Sequence, residues 1–287
     1  MTLQDLTSHP VLADLAAVLD RAAAPAASTP PVSRALVQTL SETPTGDTVI
    51  CLPWAGGNAV SFQPLARALA GSGIGVLAVE LPGHDLTHAR EPFASLEQVV
   101  DRVADELRDR GVSAISCWGH SAGAAAAVAL CRRLEADGLE VRRLFLGAQL
   151  LGTSHERRAS TAGLAGRSDT ELAATLAAAT PGMESLEPGR AEHVGAAYRH
   201  DLTEANRYLA ELATHQPTVR LRAAVAAVVA ADDPSTADAV QQYRDWQLVA
   251  DDVELVALVG GGHHFLRTRP DETAAVVRRA LERVPAR

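Results

Sequence analysis

The sequence contains no lysine; all 26 of its basic residues are arginine. That excludes a lysine Schiff base and a Ser/Lys dyad, and leaves serine, cysteine, histidine and carboxylate chemistry. Cysteine is scarce. Cys51, Cys117 and Cys131 are odd in number, far apart and set in apolar contexts, so neither a metal site nor a disulfide framework is indicated. Positive charge is in deficit, 26 basic against 35 acidic residues for a formal −9, with no basic run. A nucleic acid or an anionic membrane surface is therefore not the expected partner. Long apolar runs are missing as well. The longest wholly apolar stretches, such as "AAVAAVVAA" from Ala223, are too short to span a bilayer, and "MTLQDLTSHP" lacks the basic-then-apolar pattern of a secretion signal. The expectation is a soluble, cytoplasmic protein.

What is present is enough for a large core: 287 residues, 47% of them hydrophobic. From about Thr48, short runs rich in Val, Ile and Leu alternate with helical patterns: "TVICLPW", "GVLAVEL", "SAISCW", "RRLFLGAQL", "RAAVAAVVAAD" and "VELVALVG". This alternation predicts a mainly parallel sheet flanked by helices on both faces. "SLEQVVDRVADELRDRG" opens with a Ser95–Gln98 capping box and closes on Gly111, "AGAAAAVALCRRLEADG" closes on Gly138, and "DETAAVVRRALERV" supplies a last helix. Between about 152 and 216 the alternation stops, and the segment reads as short helices without a strand, expected to form a helical lid, with a plain helical connection as the alternative. Residues 1–45 read as a short amphipathic helix followed by an Ala/Pro linker, which places the catalytic domain at 46–287.

Within this pattern "CWGHSAG" sets Ser121 between Gly119 and Gly123, after a predicted strand and before a predicted helix. That is the placement of the nucleophile elbow of α/β-hydrolases, a sharp strained turn at which side chains in place of the glycines would collide with the neighbouring strand and helix. In such folds an acid and then a histidine follow the serine. The fifth apolar run ends in "AADDPST" and the sixth in "VGGGHHFL", so both groups sit just past strand ends, where reactive groups of a parallel sheet collect. The acid is Asp232 or Asp233; the rigid position before Pro234 favours Asp233 and leaves Asp232 as a solvated neighbour. The base is His263 or His264; the position directly after the glycines favours His263. His120 is the variable elbow residue, and His84, His193 and His200 have no positioned acid nearby in sequence. Oxyanion donors are expected from the Ala122 N–H, at the positive end of the following helix, and from the Gly56-Gly57 turn in "CLPWAGGNA". Trp118 and the lid are expected to decide what reaches Ser121.

Taken together, "CLPWAGGNAVSFQPLARAL", "VLAVELPGHDLTHAREPF", "CWGHSAGAAAAVAL", "AADDP" and "GGGHHFL" resemble the thioesterases of nonribosomal peptide and polyketide assembly lines, from about Thr48 to the end. The resemblance implies an α/β-hydrolase fold, a Ser121–Asp233–His263 triad and oxyanion donors at Ala55 and Ala122; Trp54 is read as a candidate for the substrate-site lining, and His264 either lines the site or packs. It implies no metal and no cofactor, with an acyl or peptidyl chain presented as a thioester on the phosphopantetheine of a carrier protein domain. The absence of an acid after "LFLGAQLLG", with "PWAGG", "ELPGH" and "YRHDLTEANRYL", is similar to the type II editing branch. "TSHPVLADLAAVLD" instead resembles the last helix of a carrier domain, which implies a C-terminal domain of a synthetase. Ser-Ala in place of Ser-Met and "GHHF" in place of Gly-His-Phe-Phe depart from the editing pattern at the acyl pocket. Two other classes are consistent with the residues alone, a free-standing small-molecule serine esterase or peptidase and a non-catalytic α/β-hydrolase-like binding module.

Overall fold

The computed structural model describes residues 34–41, 47–85, 91–180, 187–215 and 219–283. The chain divides into two units, Met1–Ala35 and Leu36–Arg287. The tail helix expected near the N-terminus and most of the linker lie outside the described residues.

Among the described residues seven strands form one sheet in the order β1-β3-β2-β4-β5-β6-β7. They are β1 (Val37–Thr39), β2 (Thr48–Leu52), β3 (Gly75–Val79), β4 (Ala114–His120), β5 (Glu140–Gly147), β6 (Ala224–Ala230) and β7 (Val253–Leu258). The six apolar runs of the sequence correspond to β2–β7, all parallel. The first strand was not expected. It lies in the stretch read as linker and pairs antiparallel with β3, so the sheet starts before residue 46. Three residues are too few to show a period; what holds them is the Glu106 carboxylate, which accepts the N–H groups of Leu36 and Val37, each at 2.8 Å.

Strands β2, β3 and β6 are apolar almost throughout because both sheet faces are covered there. Ile50, Leu52, Leu144 and Leu146 join one buried cluster, while Val49, Cys51 and Phe145 join the other, following the two-residue alternation of a strand. Helices α1 (Gln63–Ala68), α2 (Leu96–Asp109) and α3 (Gly123–Ala136) lie between strands β2 and β5, and α7 (Pro270–Glu282) follows β7. The capping box that opens α2 forms as read, with Ser95 Oγ accepting the Gln98 N–H and Gln98 Oε1 accepting the Ser95 N–H.

Between β5 and β6 come α4 (Ser154–Ala162), α5 (Asp169–Ala179) and α6 (Pro188–Thr214). The longest, α6, is fastened to the core at several points. Glu204 accepts the Leu96 N–H at 2.9 Å, His200 Nε2–H donates to the Ala94 carbonyl at 2.9 Å, and Arg207 pairs with Glu97 at 2.7 Å. In turn α6 carries α5. A Cβ on Gly195 would come within 1.7 Å of the Asp169 carbonyl oxygen, and Arg199 donates to the Asp169 carboxylate at 2.8 Å. Among the described residues no helix is long and apolar enough to cross a membrane.

Candidate active site

Ser121 stands where β4 turns into α3, with φ at +52°, a left-handed conformation that costs a non-glycine residue strain. The flanking glycines make the turn possible by close approach. A Cβ on Gly119 would lie 2.4 Å from the Gly123 carbonyl oxygen and 2.6 Å from Ala124 Cα. One on Gly123 would lie 2.4 Å from the carbonyl oxygens of both Leu52 and Pro53. The collisions expected from sequence are thus real. They also have a use, since the contact of Gly123 with the end of β2 brings the start of α3 beside the turn that carries Ala55.

The loops after β6 and β7 meet the serine from the side. Ser121 Oγ–H donates to His263 Nε2 at 2.8 Å, and His263 Nδ1–H donates to Asp233 Oδ2 at 2.9 Å. Asp233 is 2% exposed, and its other oxygen accepts the Ser235 hydroxyl at 2.7 Å and the Ser235 N–H at 2.9 Å. Burial alone would push this carboxyl up, but the hydrogen bonds and charge of His263 and the bonds from Ser235 hold it below the usual carboxylate value. Of the two paired ambiguities in the sequence, the geometry selects Asp233 and His263 for the chain of bonds that ends on Ser121.

Asp232 is exposed but does more than face solvent. Its carboxylate accepts the N–H groups of Gly261 and Gly262, at 3.1 and 2.7 Å, and so fixes the loop that delivers His263. His120 is fully buried, and its Nε2–H donates to the His263 carbonyl at 2.7 Å. A carbonyl only accepts, so His120 carries its proton on Nε2. Neither role was legible. Both rest on contacts with backbone more than 25 residues away, with no spacing or motif to announce them.

Trp54, a candidate for the substrate-site lining, and His264, read as lining or packing, are buried at 4% and 3% exposure. They pack edge to face with centroids 4.7 Å apart, and His264 Nε2 lies 3.2 Å from Thr180 Oγ1 just past the end of α5. The His264 ring also meets the His263 ring edge to face, with centroids 5.2 Å apart. Trp118 likewise belongs to the core, stacked on Phe145 at 5.3 Å and fully buried, so it decides nothing about access.

Ala122 is the residue before the first turn of α3, and Ala55 lies in the turn after β2. That turn is held by the Gly57 N–H on the Trp54 carbonyl at 2.8 Å and the Ala59 N–H on Glu80 at 3.0 Å. Among the described residues no acceptor meets the Ala55 or Ala122 N–H. A helix N-terminus and a free turn amide beside one serine make a place for an anionic oxygen.

Residues 47–282 match the thioesterase domain family. The chain belongs to that family. Among thioesterase relatives, the gramicidin S biosynthesis protein GrsT of Aneurinibacillus migulanus is 31% identical over 86 residues, 30% of this chain and 33% of that protein. Thioesterase TesA of Mycobacterium marinum is 29% identical over 138 residues, 47% of this chain and 53% of that one. The matched stretches therefore span about a third to a half of these relatives. Among solved structures, the type II thioesterase BorB from the borrelidin biosynthetic cluster is similar at 27% identity and a TM-score of 0.68, covering 87% of this chain and 98% of that chain.

In this thioesterase-family site the two imidazoles beside His263 are kept neutral. Burial, then the neighbouring His263 and Arg267, push His264 down from 6.5 to about 4. Burial, then His263, hold His120 well below its usual value. Between pH 6.5 and about 4 the unfolded chain therefore binds a proton on residue 264 that the folded chain does not. Stability is fully present above that window and falls as pH drops through it. A series of melting temperatures should show this decline, and His264→Gln should flatten it; parallel curves for the two proteins would mean that His264 does not titrate there.

Proposed function

We propose that the protein is a serine thioesterase of the type II kind, which releases acyl, aminoacyl or peptidyl groups from the phosphopantetheine arm of a carrier protein in natural-product biosynthesis. The observation that carries this reading is the bond chain Ser121–His263–Asp233, at 2.8 and 2.9 Å, on an elbow whose glycines admit no Cβ. Family membership and the likeness to BorB along nearly its whole length support the thioester substrate. The acid after β6 rather than β5 supports the editing branch.

The chemistry follows from the atoms. His263 Nε2 takes the Ser121 proton as Oγ attacks the thioester carbonyl, and Asp233 holds the imidazole in the tautomer that can accept it. The oxyanion is received by the Ala55 and Ala122 N–H groups, each such donor contributing about 3 kcal/mol to lowering the barrier. Collapse expels the pantetheine thiol with the proton from His263 and leaves the acyl group as an ester of Ser121. Water, activated by the same imidazole, then releases the acid; an internal amine or hydroxyl attacking the same ester would give a ring. With His120 and His264 neutral near pH 7, the proton in transit stays on His263.

The test is intact-protein mass spectrometry after mixing the protein with acetyl, aminoacyl and peptidyl pantetheine thioesters and with simple oxoesters of the same acyl groups. A transient acyl adduct from thioesters, with little from oxoesters, is the expected result. Equal adducts from both would make it a general esterase. No adduct from any thioester would remove the mechanism.

A further inference from the structure

Two segments that stand out in the sequence, "ELPGH" after β3 and "YRHDLTEANRYL" in α6, have no part in the triad. The fold joins them. His84, from the first, places Nε2 2.8 Å from Oδ2 of Asp201, from the second. The same carboxylate oxygen accepts the Gly56 N–H at 2.8 Å. His84 Nδ1 faces the Pro82 carbonyl at 3.1 Å. Both ring nitrogens thus meet acceptors, an arrangement that matches an imidazolium with a donor on each side. The His84 and Asp201 side chains are only 4% and 11% exposed, so solvent screens the pair little.

Gly56 directly follows Ala55 in the oxyanion turn. It has φ at +70°, and a Cβ there would lie 2.9 Å from Leu176 of α5 and 3.5 Å from Tyr198 Cβ of α6. The turn is therefore pressed from above by the helical segment and gripped by one of its carboxylates. A lone carboxylate at that spot would oppose a developing oxyanion; the adjoining imidazolium cancels the charge and leaves the acceptor.

We propose that Asp201, neutralised by His84, is the positioning residue of the oxyanion turn, so that seating α6 and aligning the Ala55 N–H are a single event. The inference rests on the serine thioesterase reading. Asp201 touches neither substrate nor triad; it acts through the Gly56 amide. The other ties of α6, through Glu204, His200 and Arg207, reach α2 and its approach rather than the turn, and they provide the control.

Asp201→Ala should lower kcat for S-acetylpantetheine hydrolysis by about 30-fold or more, a displaced donor costing somewhat less than the roughly 10²–10³-fold of a donor removed outright, while KM stays within about twofold. The rate at which a fluorophosphonate labels Ser121 should fall in step, because its phosphoryl oxygen uses the same donors. Glu204→Gln should lower the melting temperature yet leave both rates within about threefold. His84→Gln, which leaves Gly56 gripped but the carboxylate uncancelled, should slow both rates as well and decides the matter if Asp201→Ala does not fold. Wild-type rates in Asp201→Ala, or in His84→Gln where that variant decides, would overturn the proposal. So would a loss in Glu204→Gln as large as that in Asp201→Ala. A wild-type protein that reacts with the fluorophosphonate but with no thioester would instead overturn the thioesterase reading, and the labelling rates would still test the turn.

Discussion

Ser121→Ala is expected to lower thioester hydrolysis about 10⁶-fold, the loss typical when a triad serine is removed and only binding and oxyanion donors remain. The fold should be unaffected. Alanine carries the same Cβ as serine into the +52° conformation, so the strain at the elbow is unchanged, and only the hydrogen bond to His263 Nε2 disappears. Kinetics of thiol release together with a melting curve check both halves of the statement. Residual activity within about a hundredfold of wild type would mean that the acyl group is never carried by Ser121.

Asp233→Asn is expected to cost about 10⁴-fold in kcat, the loss seen when a triad carboxylate becomes an amide. The amide N–H would donate to His263 Nδ1, driving the imidazole proton to Nε2 and leaving no lone pair there for the Ser121 proton. Asp232→Asn, by contrast, keeps an oxygen for one of the two glycine amides of the His263 loop, and should cost less than about tenfold. The two variants measured side by side assign the acid, and a larger loss in Asp232→Asn would reverse it. The pH sign is also fixed. Because Asp233 is held below its ordinary value of 3.8, its contribution to stability is complete above that value and is lost only as pH falls through the lower folded-state value.

These two substitutions probe the part of the site that the sequence already exposed. Gly119, Ser121 and Gly123 form a local motif, and the strand ends before Asp233 and His263 are marked by runs of Val, Ala and Leu. Local patterns of this kind are set by the backbone around them and are readable in a single chain. Contacts between segments far apart are not. The Asp201 carboxylate meets His84 and Gly56 across more than a hundred residues, and nothing in the spacing of "ELPGH" and "YRHDL" says that they touch. His120 was passed over because its position in the elbow varies, yet its ring holds the backbone of His263. β1 escaped notice for another reason, being an edge of three residues whose partner is a glutamate on α2 as much as a strand. Trp118 was misjudged because closeness to Ser121 in sequence does not say which face of β4 a side chain takes.

The way α6 is fixed has a practical consequence for anyone building chimaeras. This helix behaves as a joist: it is bolted to the floor through Asp201, Glu204 and Arg207, and it carries α5 through Arg199 and α4 through the Asn206 amide, which donates to Ser160 Oγ at 3.2 Å. Exchange with another family member therefore has a natural seam. A graft that replaces α4 and α5 and retains 188–214 keeps the Gly56 grip intact, provided the new piece brings a backbone carbonyl up against Gly195 and an acid to meet Arg199. A graft that takes α6 as well also replaces Asp201, the carboxylate that meets the Gly56 amide.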